Sequence, residues 1–483
     1  MESIWHQTAK FAPCPPLQGD LETEAAVIGG GLAGVLTAAL LAEAGVSTVV
    51  LEANRTGFGQ TGNTTAKVTA QHGALYRRLE AELGGPAAQG YAQAHQAAIE
   101  AYQKMIQDRR IACGWERLPA YLYSVEEENI LEEECAAQQR AGLPAALTRE
   151  TGLPFPVKGA VRCERQARFH PLRLLYTLAD TLSIYECTRV LEADGDTLRT
   201  DNGSVRARHM VFACHFPFVN VPGYYFMRMH QERSYVAALT GAGKLPGMYY
   251  SVDAGGLSLR SAGDLLLVGG GGHRTGENRG GGKYEALRRS AALLFPGGEI
   301  ARQWSAQDCM TLDGMPYIGQ FSANTPNWYV ATGFGKWGMT ASMVAAQLLR
   351  DQILGRENAW AELFSPQRFT PAASASGLVE NGVHAVRDLT RELLAPARGA
   401  AAALPPDHGG VVELDGRKVG VYKANDGTLY AVDIRCPHLG CQLEWNPDER
   451  SWDCPCHGSR FDLRGRLLSG PAQTDLEAAV FPR

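Results

Sequence analysis

The sequence has no apolar run long enough to cross a bilayer, which takes about 20 consecutive residues. Its most apolar stretch, residues 25–51, is broken by four glycines in six residues and by Glu43. The start, Met1-Glu-Ser-Ile-Trp-His, lacks a basic segment leading into an apolar one, so no export signal is expected. No excess of one charge sign is present: the formal net charge is −5, which gives no electrostatic basis for holding nucleic acid. A disulfide framework is missing too. Of 11 cysteines, seven stand singly, at positions 14, 113, 135, 163, 187, 214 and 309. Isolated thiols suit a reducing compartment, so a cytoplasmic location is expected, with no membrane span and at most peripheral membrane contact. The 483 residues, 45% of them apolar, suffice for roughly two to four domains and a large core.

The other four cysteines lie close together near the C-terminus, interleaved with histidines. Cys436-Pro-His438 and Cys454-Pro-Cys-His457 are separated by fifteen residues. Two thiolates and two imidazoles suit a [2Fe–2S] centre in which two His replace two Cys on one iron. Such a centre carries one electron at a time, at roughly −150 to +300 mV. Two Cys and two His also bind zinc. Zinc fingers usually put both cysteines in one half-site and both histidines in the other, whereas here each half-site mixes them.

The surroundings favour the iron reading. Cys436-Pro-His-Leu-Gly-Cys441 and Cys454-Pro-Cys-His-Gly-Ser459 resemble the two loops of a Rieske domain. The resemblance implies Cys436, His438, Cys454 and His457 as cluster ligands and a disulfide between Cys441 and Cys456. It also implies a Ser459 hydroxyl bonded to a cluster sulfur and a shielding loop at Gly470-Pro471. Phe461 stands where high-potential members often carry Tyr, and losing that hydrogen bond lowers the expected potential. No H-x4-H run supplies a mononuclear iron, which argues against a Rieske oxygenase. Respiratory Rieske subunits are normally anchored by a membrane helix, so this cluster is expected on a different chassis.

That chassis begins with a βαβ unit. Ala25-Ala-Val-Ile28 reads as a buried strand, Val35 to Ala44 as a helix and Ser47 to Leu51 as a second strand. Between them lies Gly29-Gly-Gly31-Leu32-Ala33-Gly34, a G-x-G-x-x-G turn. Gly29 allows the tight turn, Gly31 lets the backbone approach a pyrophosphate, and Gly34 lets helix and sheet pack closely. The helix N-terminus around Leu32 and Ala33 offers free N–H groups to phosphate. Glu52, eighteen residues past Gly34, is placed for ribose hydroxyls.

Two further stretches resemble the D-amino-acid-oxidase (DAO) family of flavoproteins. One is the small-residue loop Gly57 to Val68, with Thr61, Thr64, Thr65 and Lys67. The other is strand Asn327 to Thr332, turn Gly333-Phe-Gly335-Lys336-Trp337-Gly338 and a helix from Met339-Thr340 to Leu354. Asp313-Gly-Met-Pro-Tyr-Ile-Gly319 is a third such stretch. The resemblance covers about residues 1–365. It implies FAD, held by the dinucleotide turn, the first loop, Val190 and the late turn from Gly335 to Thr340. A helix N-terminus at the flavin edge stabilises reduced flavin. Gly62 to Lys67 and Gly335 to Thr340 look typical of a bacterial group that fuses such an oxidoreductase to a C-terminal Rieske domain.

The expected fold class is therefore an α/β Rossmann-like FAD domain with an antiparallel-sheet substrate domain, followed by a small all-β Rieske domain. FAD-binding parts are expected at about 20–80, 155–220 and 305–360. The substrate domain is expected at 85–150, mostly helical, and 224–304. Tyr185 to Val190 and His209 to Ala213 read as strands of the FAD domain, and Pro171 as the start of a helix. Residues 366–405 read as a linker and a helix (377–395), and 406–483 as the Rieske domain. The glycine clusters at 269–272 and 280–282 do not continue as G-x-G-x-x-G, since Arg274 takes the third position. Without a second dinucleotide fingerprint, the substrate itself should reduce the flavin. The expected activity is an FAD dehydrogenase that oxidises a small molecule, an amine or amino acid by family analogy, and passes electrons singly to an external one-electron acceptor. A non-catalytic electron carrier or redox sensor is the alternative, and a flavin reductase fed by NADH a third. Lys336, Lys67 and His273 are the catalytic candidates.

Overall fold

The computed structural model describes residues 2–368, 370, 373, 374, 379, 404–414 and 416–479. The expected helix at 377–395 lies almost wholly outside the described residues.

Ala25 to Ile28 is buried throughout, as a strand covered on both faces must be. It sits in strand Leu21–Ile28, at the centre of a parallel set. Gly203–Phe212 and Thr48–Leu51 flank it, with Thr325–Thr332 and Ser183–Tyr185 outside them. Tyr317–Ser322 adds an antiparallel edge, and the hairpin Val190–Asp194/Thr197–Thr200 runs alongside Gly203–Phe212. Helices Leu32–Glu43 and Gly338–Ile353 pack on each other against this sheet.

The strand expected at 185–190 is broken. It ends at Tyr185 because Glu186 is buried and serves as an anchor. Its carboxylate accepts from the backbone N–H of Thr56 (2.8 Å) and Cys14 (3.0 Å) and pairs with Arg55 (2.7 Å). Cys187 then turns the chain at φ +49°.

The second sheet has nine strands. Glu299–Thr311, Met229–Thr240, Leu265–Arg274, Ser258–Ala262 and Met248–Ser251 form its antiparallel half. Glu116–Ser124 joins Met248–Ser251 in parallel, so the sheet is mixed at that one pair. Gly159–Arg168, Ala145–Thr148 and Lys67–Val68 complete it. Two expectations change here. Residues 86–155 contain strands as well as helices Gly85–Asp108 and Asn129–Arg140. Residues 159–168 belong to this sheet and not to the FAD-binding layer. Glu116–Ser124 is buried at five consecutive positions, so it shows no period-two alternation. In Gly159–Arg168 four arginine and glutamate side chains among ten residues obscure the pattern.

The C-terminal unit is a three-stranded antiparallel sheet, His408–Leu414, Arg417–Lys423 and Leu429–Asp433. A four-stranded one follows, Glu444–Asn446, Ser451–Asp453, Arg460–Asp462 and Leu467–Ser469. Trp445, Trp452, Phe461 and Leu443 form its core against the cysteine loops. Among the described residues no helix is long and apolar enough to cross a membrane.

Candidate active site and cluster site

A cavity of about 950 Å³ opens between the two large sheets, at the upper end of the roughly 300–1,000 Å³ typical of ligand pockets. Gly29, Gly31, Leu32, Ala33 and Glu52 line one end. Thr61, Thr64, Thr65, Lys67 and Val190 line it as well, as do Gly335, Lys336, Trp337, Gly338 and Met339. Three sequence-distant stretches thus line one cavity.

The glycines act as their positions require. Gly29 has φ +114°, and a Cβ there would stand 2.5 Å from the Ala213 carbonyl oxygen. Gly34 is not part of the wall; a Cβ on it would overlap the Gly29 carbonyl. Gly34→Ala should force the helix off the strand and cost about 1–3 kcal/mol, with FAD lost on gel filtration. Retention of FAD at wild-type stability would contradict this packing role. Glu52 accepts from the N–H of Gly30 (2.7 Å) and Asn54 (2.8 Å). Burial raises its pKa and those two donors oppose the rise. Thr61 Oγ1 accepts from Leu32 N–H at 2.9 Å, fixing the first loop on the helix start. Helices Leu32–Glu43 and Gly338–Ile353 both begin at the wall, and the first-turn N–H groups, which have no partner within their helix, favour anionic atoms. The glycine cradle, the carboxylate and two helix N-termini in one elongated cavity fit FAD.

Thr340 does not face the cavity. Its hydroxyl donates to the Thr69 carbonyl (3.0 Å) and meets His95 Nδ1 (3.0 Å), because the third residue of that helix turns into the core. His273 is also absent from the wall. Tyr235 OH (3.0 Å) and the Arg274 carbonyl (2.8 Å) occupy its two ring nitrogens, so the expected catalytic role has no place in this geometry. Lys336 pairs with Glu232 (3.0 Å) and Asp308 (3.6 Å). Burial alone would lower its pKa, but the two carboxylates outweigh it and hold the ammonium charged. Lys67 differs. Its ammonium meets only hydroxyl oxygens, Ser258 and Thr65, among its hydrogen bonds. Burial, reinforced by the Arg260 guanidinium, pulls its pKa down to about 7.

Sequence reasoning overlooked His215. It lines the cavity in a left-handed conformation, φ +71°, with its Nε2 buried and unpartnered. Nothing in Cys214-His-Phe-Pro217 signals this beyond its place after a buried strand. Also overlooked is the wall supplied by the C-terminal unit: Glu449, Arg460 and the loop Leu467 to Gln473.

The cysteine loops converge at one point. Cys441 and Cys456 form a disulfide, and the Cys454 sulfur lies within 4.8 Å of both their sulfurs. Cys436 and Cys454 are buried free thiols. The His438 and His457 rings stand 4.8 Å apart, nearly perpendicular. Their Nδ1 atoms are buried without a partner. His438 Nε2 meets Asn220 Oδ1 at 2.8 Å, and the His457 ring packs edge-on against the Phe226 ring with centroids 5.9 Å apart. Two neighbouring imidazoles with bare, buried Nδ1 atoms, carried on the same two loops as two buried free thiols, fit a metal centre; an unpartnered buried nitrogen is otherwise costly. Ser459 Oγ accepts from Ala472 N–H (3.0 Å) and contacts the Cys436 sulfur, tying the Gly470-Pro471 loop to a ligand.

The comparisons with known proteins agree with both sites. The model of the DAO family, FAD-dependent oxidoreductases, matches residues 24–352, and that of the Rieske [2Fe-2S] domain matches residues 397–481. The chain belongs to the DAO family of FAD-dependent oxidoreductases and carries a C-terminal Rieske domain. The Rieske match decides between the two metals that Cys2His2 ligands allow. This DAO–Rieske protein is 35% identical over 488 residues to a Rieske 2Fe-2S iron-sulfur protein, YhfW, of Bacillus subtilis; the alignment covers 98% of the chain and 96% of the relative. Glycine oxidase from Geobacillus kaustophilus has a similar fold, with TM-score 0.62 and 21% identity over 72% of this chain and 99% of that one. L-proline dehydrogenase from P. horikoshii follows with TM-score 0.62 and 17% identity, over 73% and 98%. L-amino acid deaminase from Proteus vulgaris has TM-score 0.60 and 15% identity, over 75% and 100%.

Proposed function

We propose that this DAO–Rieske protein is a dehydrogenase for a small amino acid or related amine carrying a carboxylate, and that its electrons leave singly through the cluster to an external acceptor. The observation that carries this reading is the shared cavity. It has the dinucleotide turn at one end and the cluster-shielding loop Leu467 to Gln473 on its wall. FAD supplies two-electron oxidation and one-electron release when bound, and a Rieske cluster takes one electron at a time.

The residues divide the remaining work. Lys67 offers a cation without a carboxylate partner, suited to a substrate carboxylate. Tyr250 and Trp337, with ring centroids 5.3 Å apart, give the same cavity an aromatic face. Lys336, held charged, is matched by Glu232 and Asp308 at the late turn and offers no free cation there. The similarity in fold to a glycine oxidase, an L-proline dehydrogenase and an L-amino acid deaminase supports an amino-acid substrate. Scattered buried thiols such as Cys113, Cys135 and Cys163 support a cytoplasmic location.

An anaerobic screen of amino acids and amines tests the proposal. A true substrate bleaches the flavin and then produces the EPR signal of the reduced cluster; bleaching with no cluster signal refutes internal transfer. Lys67 adds a pH test. The free enzyme's lysine is charged below about pH 7 and neutral above it. Carboxylate recognition, read as kcat/KM, should therefore fall as pH rises through that value. Lys67→Met should remove the step and lower kcat/KM by about ten- to a hundredfold, the loss of a charged hydrogen bond of roughly 1.5–3 kcal/mol.

A further inference from the structure

Two buried glutamines join the flavin cavity to the cluster loops. Gln231, 1% exposed, lies on strand Met229–Thr240; Gln307, fully buried, lies on the neighbouring strand Glu299–Thr311. The Gln231 amide donates to the His457 carbonyl (2.6 Å) and the Gly470 carbonyl (3.2 Å), one from each of two loops around the cluster. The Gln307 amide donates to the Gly458 carbonyl (2.8 Å) and to Gln231 Oε1. The backbone N–H of Gln307 donates to Gln60 Oε1 (2.6 Å), and Gln60 lines the cavity. Shape agrees with polarity. Gly458 has φ +80°, and a Cβ on it would stand 2.6 Å from Gln231 Cβ. The loop tip can seat only as glycine.

A buried primary amide left without acceptors costs about 1–3 kcal/mol. These amides find theirs on the cluster loops, so each strongly favours the docked arrangement. Their partners are the backbone of a cluster ligand and of its immediate neighbour. We infer that Gln231 and Gln307 are positioning residues that hold the His457 side of the cluster against the flavin cavity. The inference deepens the proposed route for electrons and rests on it only for the kinetic part of its test.

The test uses FAD- and iron-loaded wild-type protein, Gln231→Met and Gln307→Met. Met keeps the side-chain length and removes the amide. Hydrogen exchange of the amides in residues 454–459 and 470–473 should rise about tenfold in each variant, the scale of one lost hydrogen bond to a buried group. Global melting and FAD content should stay at wild-type values. Reducing the flavin by light with EDTA as donor, then freeze-quenching for EPR, should show the cluster signal arriving about tenfold later, since a small displacement suffices for that. Exchange at these loops equal to wild type in both variants overturns the inference. If one variant loses iron, the other decides. If wild type itself never reduces its cluster, the electron route fails, and the exchange result still decides whether the glutamines hold the loops.

Discussion

Replacing His457 by alanine is expected to empty the cluster site of iron and leave FAD in place. The His457 Nδ1, like that of His438, is buried with no protein partner. The His457 ring packs edge-on against Phe226, with centroids 5.9 Å apart. No nearby side chain replaces it, because the Cys441 and Cys456 sulfurs are joined to each other. Removing even an outer partner of a metal ligand costs about 10–100-fold in affinity; removing the ligand should abolish loading. The cavity end with the dinucleotide turn is lined by Gly29, Gly31, Leu32, Ala33 and Glu52, none of which belongs to the Rieske domain. Iron analysis and the flavin absorbance of one purified sample check both halves. A variant that retains full iron would show that His457 is not a ligand.

The second large effect is expected at Glu449. Its carboxylate accepts from Arg233 Nε at 2.9 Å, pairs with Arg460 at 3.1 Å and receives the Ser305 hydroxyl. Arg233 and Glu449 side chains are only 4% and 10% exposed. Breaking such a pair leaves a buried charge unpaired and costs about 3–5 kcal/mol. Glu449→Gln leaves Arg233 with only the neutral hydrogen-bond partners Ser305 and Gln307 in the interface between the FAD module and the Rieske domain. Arg460 keeps Asp453 at 3.0 Å. Urea unfolding followed by tryptophan fluorescence should therefore show the Rieske domain unfolding in a separate, earlier step; one transition at the wild-type midpoint would refute this.

Acid should act in the same direction. Burial pushes the Glu449 pKa up, but Arg233 and Arg460 more than offset it and hold the carboxyl below its usual range. A carboxylate depressed in the folded state contributes stability above its unfolded value, about 4.3. That contribution is lost as pH falls below it, so acidification should loosen the wild-type interface. Glu449→Gln should lack this component.

Some of this was readable directly from the chain. The dinucleotide turn and the two cysteine loops are contiguous patterns in which each residue type answers a chemical need, so both cofactors and the order of the modules followed from sequence. The parallel strand at 25–28 was legible for the same local reason. Other features depended on distant residues. Thr340 sits inside the expected flavin-edge motif yet turns to Thr69 and His95 from two other segments. Lys336 and Lys67 look alike as loop lysines. Only packing gives the first two carboxylates from neighbouring strands and the second none.

The sequence by itself determined which cofactors this protein binds, because their ligands and cradles lie within short stretches whose backbone geometry is local. Tertiary structure decided how the two sites meet. The cavity wall, the Gln231–Gln307 pair and the Arg233–Glu449–Arg460 group each combine residues more than 70 positions apart. Such contacts leave no periodic mark on either partner, since they arise only when two separately folded surfaces bury their polar groups against each other.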